Sequence, residues 1–199
     1  MATVTVRIGP ADHGRRVRLA DFEFAEVQEG RRYELGRGVI VVSDVPNLRH
    51  LAQLDSINRQ LYAYELRNPG RINSIAPASF CKVLIPSLES ERHPDVSVYK
   101  TPPPREDATV WRTWIPEVII EVVAPESASR DYDEKPEEYL QIGVRDYWVI
   151  DADRREILAL YHHGGRWRET VVGPGEVYRT RTLPGFELQA DPIFAAADA

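Results

Sequence analysis

The run Glu117-Val118-Ile119-Ile120-Glu121-Val122-Val123 sets a carboxylate inside an otherwise apolar stretch that Pro116 precedes and Ala124-Pro125 stops. A run this short and this rich in β-branched residues reads as a buried strand. Side chains alternate along a strand, so Glu117, Ile119, Glu121 and Val123 share one face and Val118, Ile120 and Val122 the other. Glu117 then falls at the rim and Glu121 in mid-sheet. An ionised carboxylate in that position is costly unless a cation, a metal or strong hydrogen bonds hold it. Whatever the chain folds into must bring such a partner to Glu121, and Lys135 follows where a helix begins.

A second acid stands upstream in Pro94-Asp95-Val96-Ser97-Val98-Tyr99, another strand-like segment, where Asp95 shares a face with Ser97 and Tyr99. If the two strands are neighbours, the carboxylates of Asp95 and Glu121 converge at one edge of the sheet. Two hard oxygen ligands with room for waters and a substrate phosphate describe a magnesium or manganese site better than a closed zinc site. No Cys/His set has zinc spacing, and His162-His163 beside the Gly164-Gly165 turn read as exposed hairpin residues. Lys135 at the same edge would stabilise charge developing on a phosphoryl group or orient an attacking water. Glu34, on an early hairpin, is a fourth candidate. A purely structural account covers the same residues: Glu121 pairs with Lys135 while Asp95 caps a turn. Spacing alone does not choose between the two.

The rest of the chain supplies an α/β domain around this strand. Met1 to Ile8 alternate polar and apolar residues as a first strand, and Leu19 to Val27 suit a short helix. A hairpin follows with arms Arg32–Leu35 and Val39–Ser43, its Gly36-Arg37-Gly38 link giving the permissive backbone of a tight turn. Asn47 is a plausible N-cap for a helix whose Leu48, Leu51, Leu54, Ile57, Leu61 and Tyr64 recur every three or four residues, ending at Asn68-Pro69-Gly70. Strands are predicted near Phe80–Ile85 and Val96–Tyr99, a loop over Thr101–Asp107, and a helix over about Asp133–Ile142 capped by Asp133 and ended by Gly143. Tyr147–Ile150, Glu156–Tyr161 and Arg166–Val172 complete the strands. No internal repeat or long linker divides the chain, so residues 1–199 read as one domain with its core over about 20–185.

Composition narrows the function classes. With 43% hydrophobic and 28% charged residues the chain is an ordinary globular one, and the single Cys81 excludes an intrachain disulfide and fits a reducing compartment. The N-terminus lacks the apolar stretch of a signal peptide, and no segment approaches the ~20 apolar residues of a membrane span, so the expected location is cytoplasmic with no membrane partner. A net charge of −6 argues against a protein that coats nucleic acid by bulk electrostatics. Local basic clusters remain at Arg15, Arg16 and Arg18 and at Arg31 and Arg32, where solvated charge is the simplest reading.

At these residues the chain resembles the Uma2 family of bacterial proteins, placed in the PD-(D/E)XK nuclease superfamily. The stretches that carry the resemblance are Tyr33-Glu34-Leu35 with Gly38–Ser43, Pro94–Val98, Pro116–Pro125, Asp131 with Lys135, and Tyr139 through Gly143-Val144 to Tyr147–Asp151. The resemblance implies a restriction endonuclease-like fold, a mixed central β-sheet flanked by helices with additional β-hairpins. It further implies that Asp95 and Glu121 hold magnesium with the backbone carbonyl of Val122, and that Glu34 matches an acid preceding the first core strands. Where the superfamily has a lysine two residues beyond the second acid, this chain has Val123, so Lys135 would have to enter from the helix in its place. Ala124 stands where the family often has serine. The implied activity is magnesium-dependent endonuclease hydrolysis of DNA by a homodimer. The alternatives are a nuclease-fold binding module without turnover and a phosphodiesterase acting on RNA or small nucleotides. Trp111, Trp114, Trp148 and Trp167 suit core or rim positions, with interface use the lesser reading.

Overall fold

The computed structural model describes residues 6–104 and 109–199. In chain order its elements open with β1 (Arg7–Ile8), α1 (Leu19–Phe22), β2 (Glu26–Val27), β3 (Arg32–Gly36), β4 (Val39–Ser43) and α2 (Leu48–Arg67). Next come β5 (Ser74–Pro77), β6 (Val83–Ile85), β7 (Ser90–Arg92), β8 (Val96–Tyr99) and β9 (Val118–Val122). A π-turn over Arg130–Glu134 then leads into α3 (Lys135–Gln141). The chain closes with β10 (Asp146–Asp151), β11 (Glu156–His163), β12 (Arg166–Val172), β13 (Val177–Arg179), β14 (Glu187–Gln189) and α4 (Ala190–Ala197). The first five residues of the predicted N-terminal strand, and residues 105–107 of the predicted proline-rich loop, lie outside the described residues.

The chain divides into two compact units, Met1–Val45 with Lys82–His93, and Pro46–Cys81 with Pro94–Ala199. In the first, β3 and β4 pair with Gly36 opposite Val39, so the hairpin turns on two residues, Arg37 and Gly38. Both have positive φ, 51° and 76°, the requirement of the mirror-image turn whose twist matches paired strands. A four-stranded sheet in the order β4-β3-β7-β6 results, beside a parallel pair β1-β2. The helix predicted over Leu19–Val27 stops at Phe22, because Glu26 and Val27 are taken by the pairing with β1.

The second unit is built on a six-stranded mixed sheet in the order β12-β11-β10-β9-β8-β5. Only β9 and β10 run parallel; their neighbours are antiparallel. Asn47 caps α2 by accepting the His50 amide at 2.9 Å. Val118, Ile120 and Val122 join Val96, Val98, Trp148 and Ile150 in one core, over which Ile57, Leu61 and Tyr64 of α2 and Ile193 and Phe194 of α4 are laid. Each such side chain, once buried, contributes roughly 1.5–3 kcal/mol.

The helical stripe does not run the full length that its leucines predict. Leu48 is 84% exposed and Leu51 47%, whereas His50 and Gln53 are buried. At about 3.6 residues per turn, position 50 lies two turns before Ile57 on its own face, and position 48 lies on the opposite side. The helix over Asp133–Ile142 also begins otherwise than predicted. Pro136 has no amide to give the Tyr132 carbonyl and its ring crowds that carbonyl, so the chain enters α3 through wider π-type bonding, with the Lys135 amide donating to Arg130. Asp133 is therefore inside the turn and not its cap.

Candidate functional site

Register decides whether the two acids meet. Strand β8 pairs antiparallel with β9 with Val96 opposite Ile120, which sets Asp95, one residue before β8, across from Glu121. The Asp95 amide donates to Glu121 Oε2 at 3.3 Å, and the Val122 amide donates to Asp95 Oδ2 at 2.9 Å. Asp95 is thus fixed to the main chain of the strand that carries Glu121. The predicted convergence at one sheet edge is present.

Lys135 reaches the same place from α3. Its Nζ donates to Glu121 Oε1 at 2.8 Å, and the Tyr139 hydroxyl donates to that oxygen at 3.1 Å. One helical turn separates Lys135 from both Asp131 and Tyr139, so all three project to one side. Asp131 Oδ1 stands 2.8 Å from Lys135 Nζ, while its Oδ2 accepts from Ser127 Oγ at 2.5 Å. His50 comes from α2 with Nε2 3.2 Å from Asp95 Oδ2. The His50 and Asp131 contacts are ion pairs by distance without hydrogen-bond alignment.

The cluster is buried. Asp95, Glu121 and Asp131 are 4%, 3% and 1% exposed, and Lys135, at 4%, is the one lysine among them. Three buried carboxylates gather around the Lys135 ammonium and the His50 ring, and charge in such low-dielectric surroundings is expensive unless it is compensated. Carboxylate oxygens brought together in this way are the donors a hard divalent cation takes. Among the described residues no three His, Cys, Asp or Glu side chains form a metal-holding group by themselves, so such an ion would rest on two carboxylates, main chain and water.

Glu34 lies on β3 in the other unit and has its own partners there. Arg92, fully buried, brings Nη1 to 3.5 Å from Glu34 Oε2, and the His93 amide donates to Oε1 at 2.9 Å. Cys81 is buried, as a core residue, with Sγ 3.4 Å from Ser97 Oγ, and burial pushes its thiol pKa up. Trp148 is core, Trp114 stacks on Tyr99 at 3.8 Å, and the Trp167 indole donates to the Pro136 carbonyl. His162 is half-buried against Trp167, with only His163 exposed.

Sequence reasoning singled out Asp95, Glu121, Val122 and Lys135, but not His50 or Tyr139 as members of the cluster. The helical spacing of Tyr139 from Lys135, and of His50 from Ile57, carried the signal in both cases.

No helix among the described residues is long and apolar enough to cross a membrane. No curated protein matches the chain. Among solved structures it resembles one described as a putative nuclease belonging to DUF820 from Anabaena variabilis ATCC 29413, with a TM-score of 0.72 at 18% identity, covering 91% of this chain and 99% of that one. At that identity the likeness establishes the fold, a mixed α/β architecture shared over nearly the whole of both chains. A family model, Uma2, described as "Putative restriction endonuclease", matches residues 19–191, and the chain belongs to that family.

Proposed function

We infer that the protein is a magnesium-dependent endonuclease hydrolysing phosphodiester bonds in DNA. The observation that carries this reading is the meeting of two buried carboxylates, Asp95 and Glu121, joined through the Asp95 amide with the Lys135 ammonium on Glu121. A purely structural network of Glu121 and Asp131 on Lys135, with Asp95 on the Val122 amide, uses the same contacts, and the variants below tell the two apart.

Asp95 and Glu121, with the Val122 carbonyl, would hold the ion. Magnesium supplies neutralising charge and a bound water of lowered pKa. Lys135 would orient the attacking water and face the charge that grows on the phosphoryl oxygens. Tyr139 and Asp131 fix Glu121 and Lys135 in place, and His50 does the same for Asp95. Glu34, already engaged by Arg92 and the His93 amide, stands as a further candidate acid outside this set. Manganese would serve the same ligands.

Supercoiled plasmid with magnesium is the direct test. Wild type is expected to nick or linearise it, and Asp95→Ala and Glu121→Ala to lose that cleavage while keeping native circular dichroism. Equal cleavage by all three proteins would sink the assignment. The near-complete burial of the cluster favours one second reading, a binding module that keeps the nuclease fold without turnover. Magnesium calorimetry separates them: binding absent, or unchanged in Asp95→Ala, selects the module. A panel of RNA and cyclic nucleotides distinguishes a phosphodiesterase from a DNA nuclease, and sedimentation velocity tests the homodimer expected of an enzyme that cuts both strands.

A further inference from the structure

At the end of the six-stranded sheet remote from Asp95 and Glu121, a cleft of about 440 Å³ is lined by Arg71, Lys100, Arg145 and Arg181, together with Glu117, Tyr161 and Thr182. Glu117 and Glu121 are separated along β9 by about 13 Å at ~3.3 Å per residue, so the cleft is a separate place on the same unit. Four cationic side chains meet there in a chain whose net charge is −6. None of the four is in an ion pair among the described residues. The carboxylate in the lining, Glu117, spends Oε2 on the Lys100 amide at 2.8 Å.

The cationic walls are held in place from beneath. Asp146, fully buried, accepts hydrogen bonds from the Tyr178 hydroxyl at 2.9 Å, Thr180 Oγ1 at 2.8 Å, the Trp148 indole at 3.2 Å and Thr182 Oγ1. Asp146 directly follows Arg145, and Thr182 directly follows Arg181. One buried carboxylate therefore ties together the two backbone segments that carry these arginines. Arg145 is further placed by its amide, which donates to the Glu117 carbonyl at 3.0 Å.

We propose that this cleft binds a small ligand carrying two or more adjacent phosphates, such as a nucleoside diphosphate. Arginines on separate segments can chelate phosphate oxygens from several directions, and Lys100 adds a point charge. The half-buried ring of Tyr161 remains for the rest of the ligand. The volume is that of a small-molecule site and well below the extent of a duplex track.

The test is calorimetry on the full chain with EDTA present, titrating inorganic pyrophosphate, ADP and a short DNA duplex. Pyrophosphate and ADP are expected to bind with dissociation constants below about 1 mM at low salt, weakening as salt rises. Affinity should drop at least about tenfold in the double variant Arg145→Gln/Arg181→Gln and severalfold in Lys100→Gln alone, each with native circular dichroism, and stay unchanged in Asp95→Ala. The single variant keeps the result readable if the double one misfolds. Absence of binding to both small phosphates, or binding indifferent to these substitutions, overturns the proposal. Duplex binding that the arginine variants abolish, without small-phosphate binding, overturns it too and makes the cleft a nucleic-acid surface. EDTA removes any dependence on the acidic cluster, so failure here leaves the nuclease reading untouched.

Discussion

Lys135 is the residue on which the acidic cluster turns. It is buried between Glu121 and Asp131, so Lys135→Met leaves two carboxylates without their ammonium. The expected loss is about 3–5 kcal/mol of unfolding free energy, read from urea melts, far more than an exposed pair would lose. Under the nuclease reading the same variant also loses plasmid cleavage. Val123, half-buried and on the face of Glu121, is where a lysine could approach the acids from the strand itself. Adding Val123→Lys to Lys135→Met should recover at least about tenfold of the lost cleavage if the ammonium matters by position and not by origin. No recovery, in a variant that still folds, would count against a water-orienting role. Glu121 and Asp95 were legible in the sequence because each breaks a local rule, an acid in an apolar strand. His50 was not, because Leu48 and Leu51 compete for the same stripe, and only the burial of Gln53 and Ile57 fixes which face turns inward.

Elements with a strong local signal form where the sequence places them. The Arg37-Gly38 turn, the Asn47 cap and the β-branched run of β9 each carry a local signal, to which distant contacts such as the Arg37 amide to Ser90 and the Gly38 amide to Glu89 add. Asn47→Ala should cost about 1 kcal/mol of stability in thermal or urea unfolding, since the His50 amide then loses its acceptor. Elements without such a signal are made by pairing. Ser74–Pro77 carries a terminal proline and little hydrophobicity, yet becomes β5 through four register partners on β8. The short β7, β13 and β14 are of the same kind. Entry into α3 is a third case: proline reads as a permissible first-turn residue, and the π-turn that actually accommodates it follows from carbonyl crowding that no residue pattern announces. At the sheet margin, β12 exposes Arg166, Arg168 and Glu169, charges that discourage a further strand from adding there.

The stability of the molecule as a whole should fail on the alkaline side. Burial first, and nearby anionic groups second, raise the phenol of Tyr178 above its ordinary 10.0, and burial does the same for Tyr99. A phenol raised in the folded state favours folding fully below the unfolded value and loses that contribution as pH climbs toward the folded one. Unfolding free energy is therefore expected to hold up to about pH 9 and to decline above pH 10, with the Tyr99 and Tyr178 phenols ionising only as the fold is lost. Ionisation of these two phenols without loss of structure, followed by the absorbance change that Tyr99→Phe and Tyr178→Phe remove, would contradict this. Cys81 should likewise resist thiol reagents at pH 8 until the chain is denatured. The parallel pairing of β9 and β10 has a consequence at this scale. Both strands leave the arginine cleft, at Glu117 and Arg145, and run toward Glu121, so a cationic lining and a buried acidic cluster sit at opposite ends of the same two strands. Near a negatively charged matrix such as heparin at low salt, the protein should be captured through the arginine cleft, which leaves the buried carboxylates at the far end of the same strands.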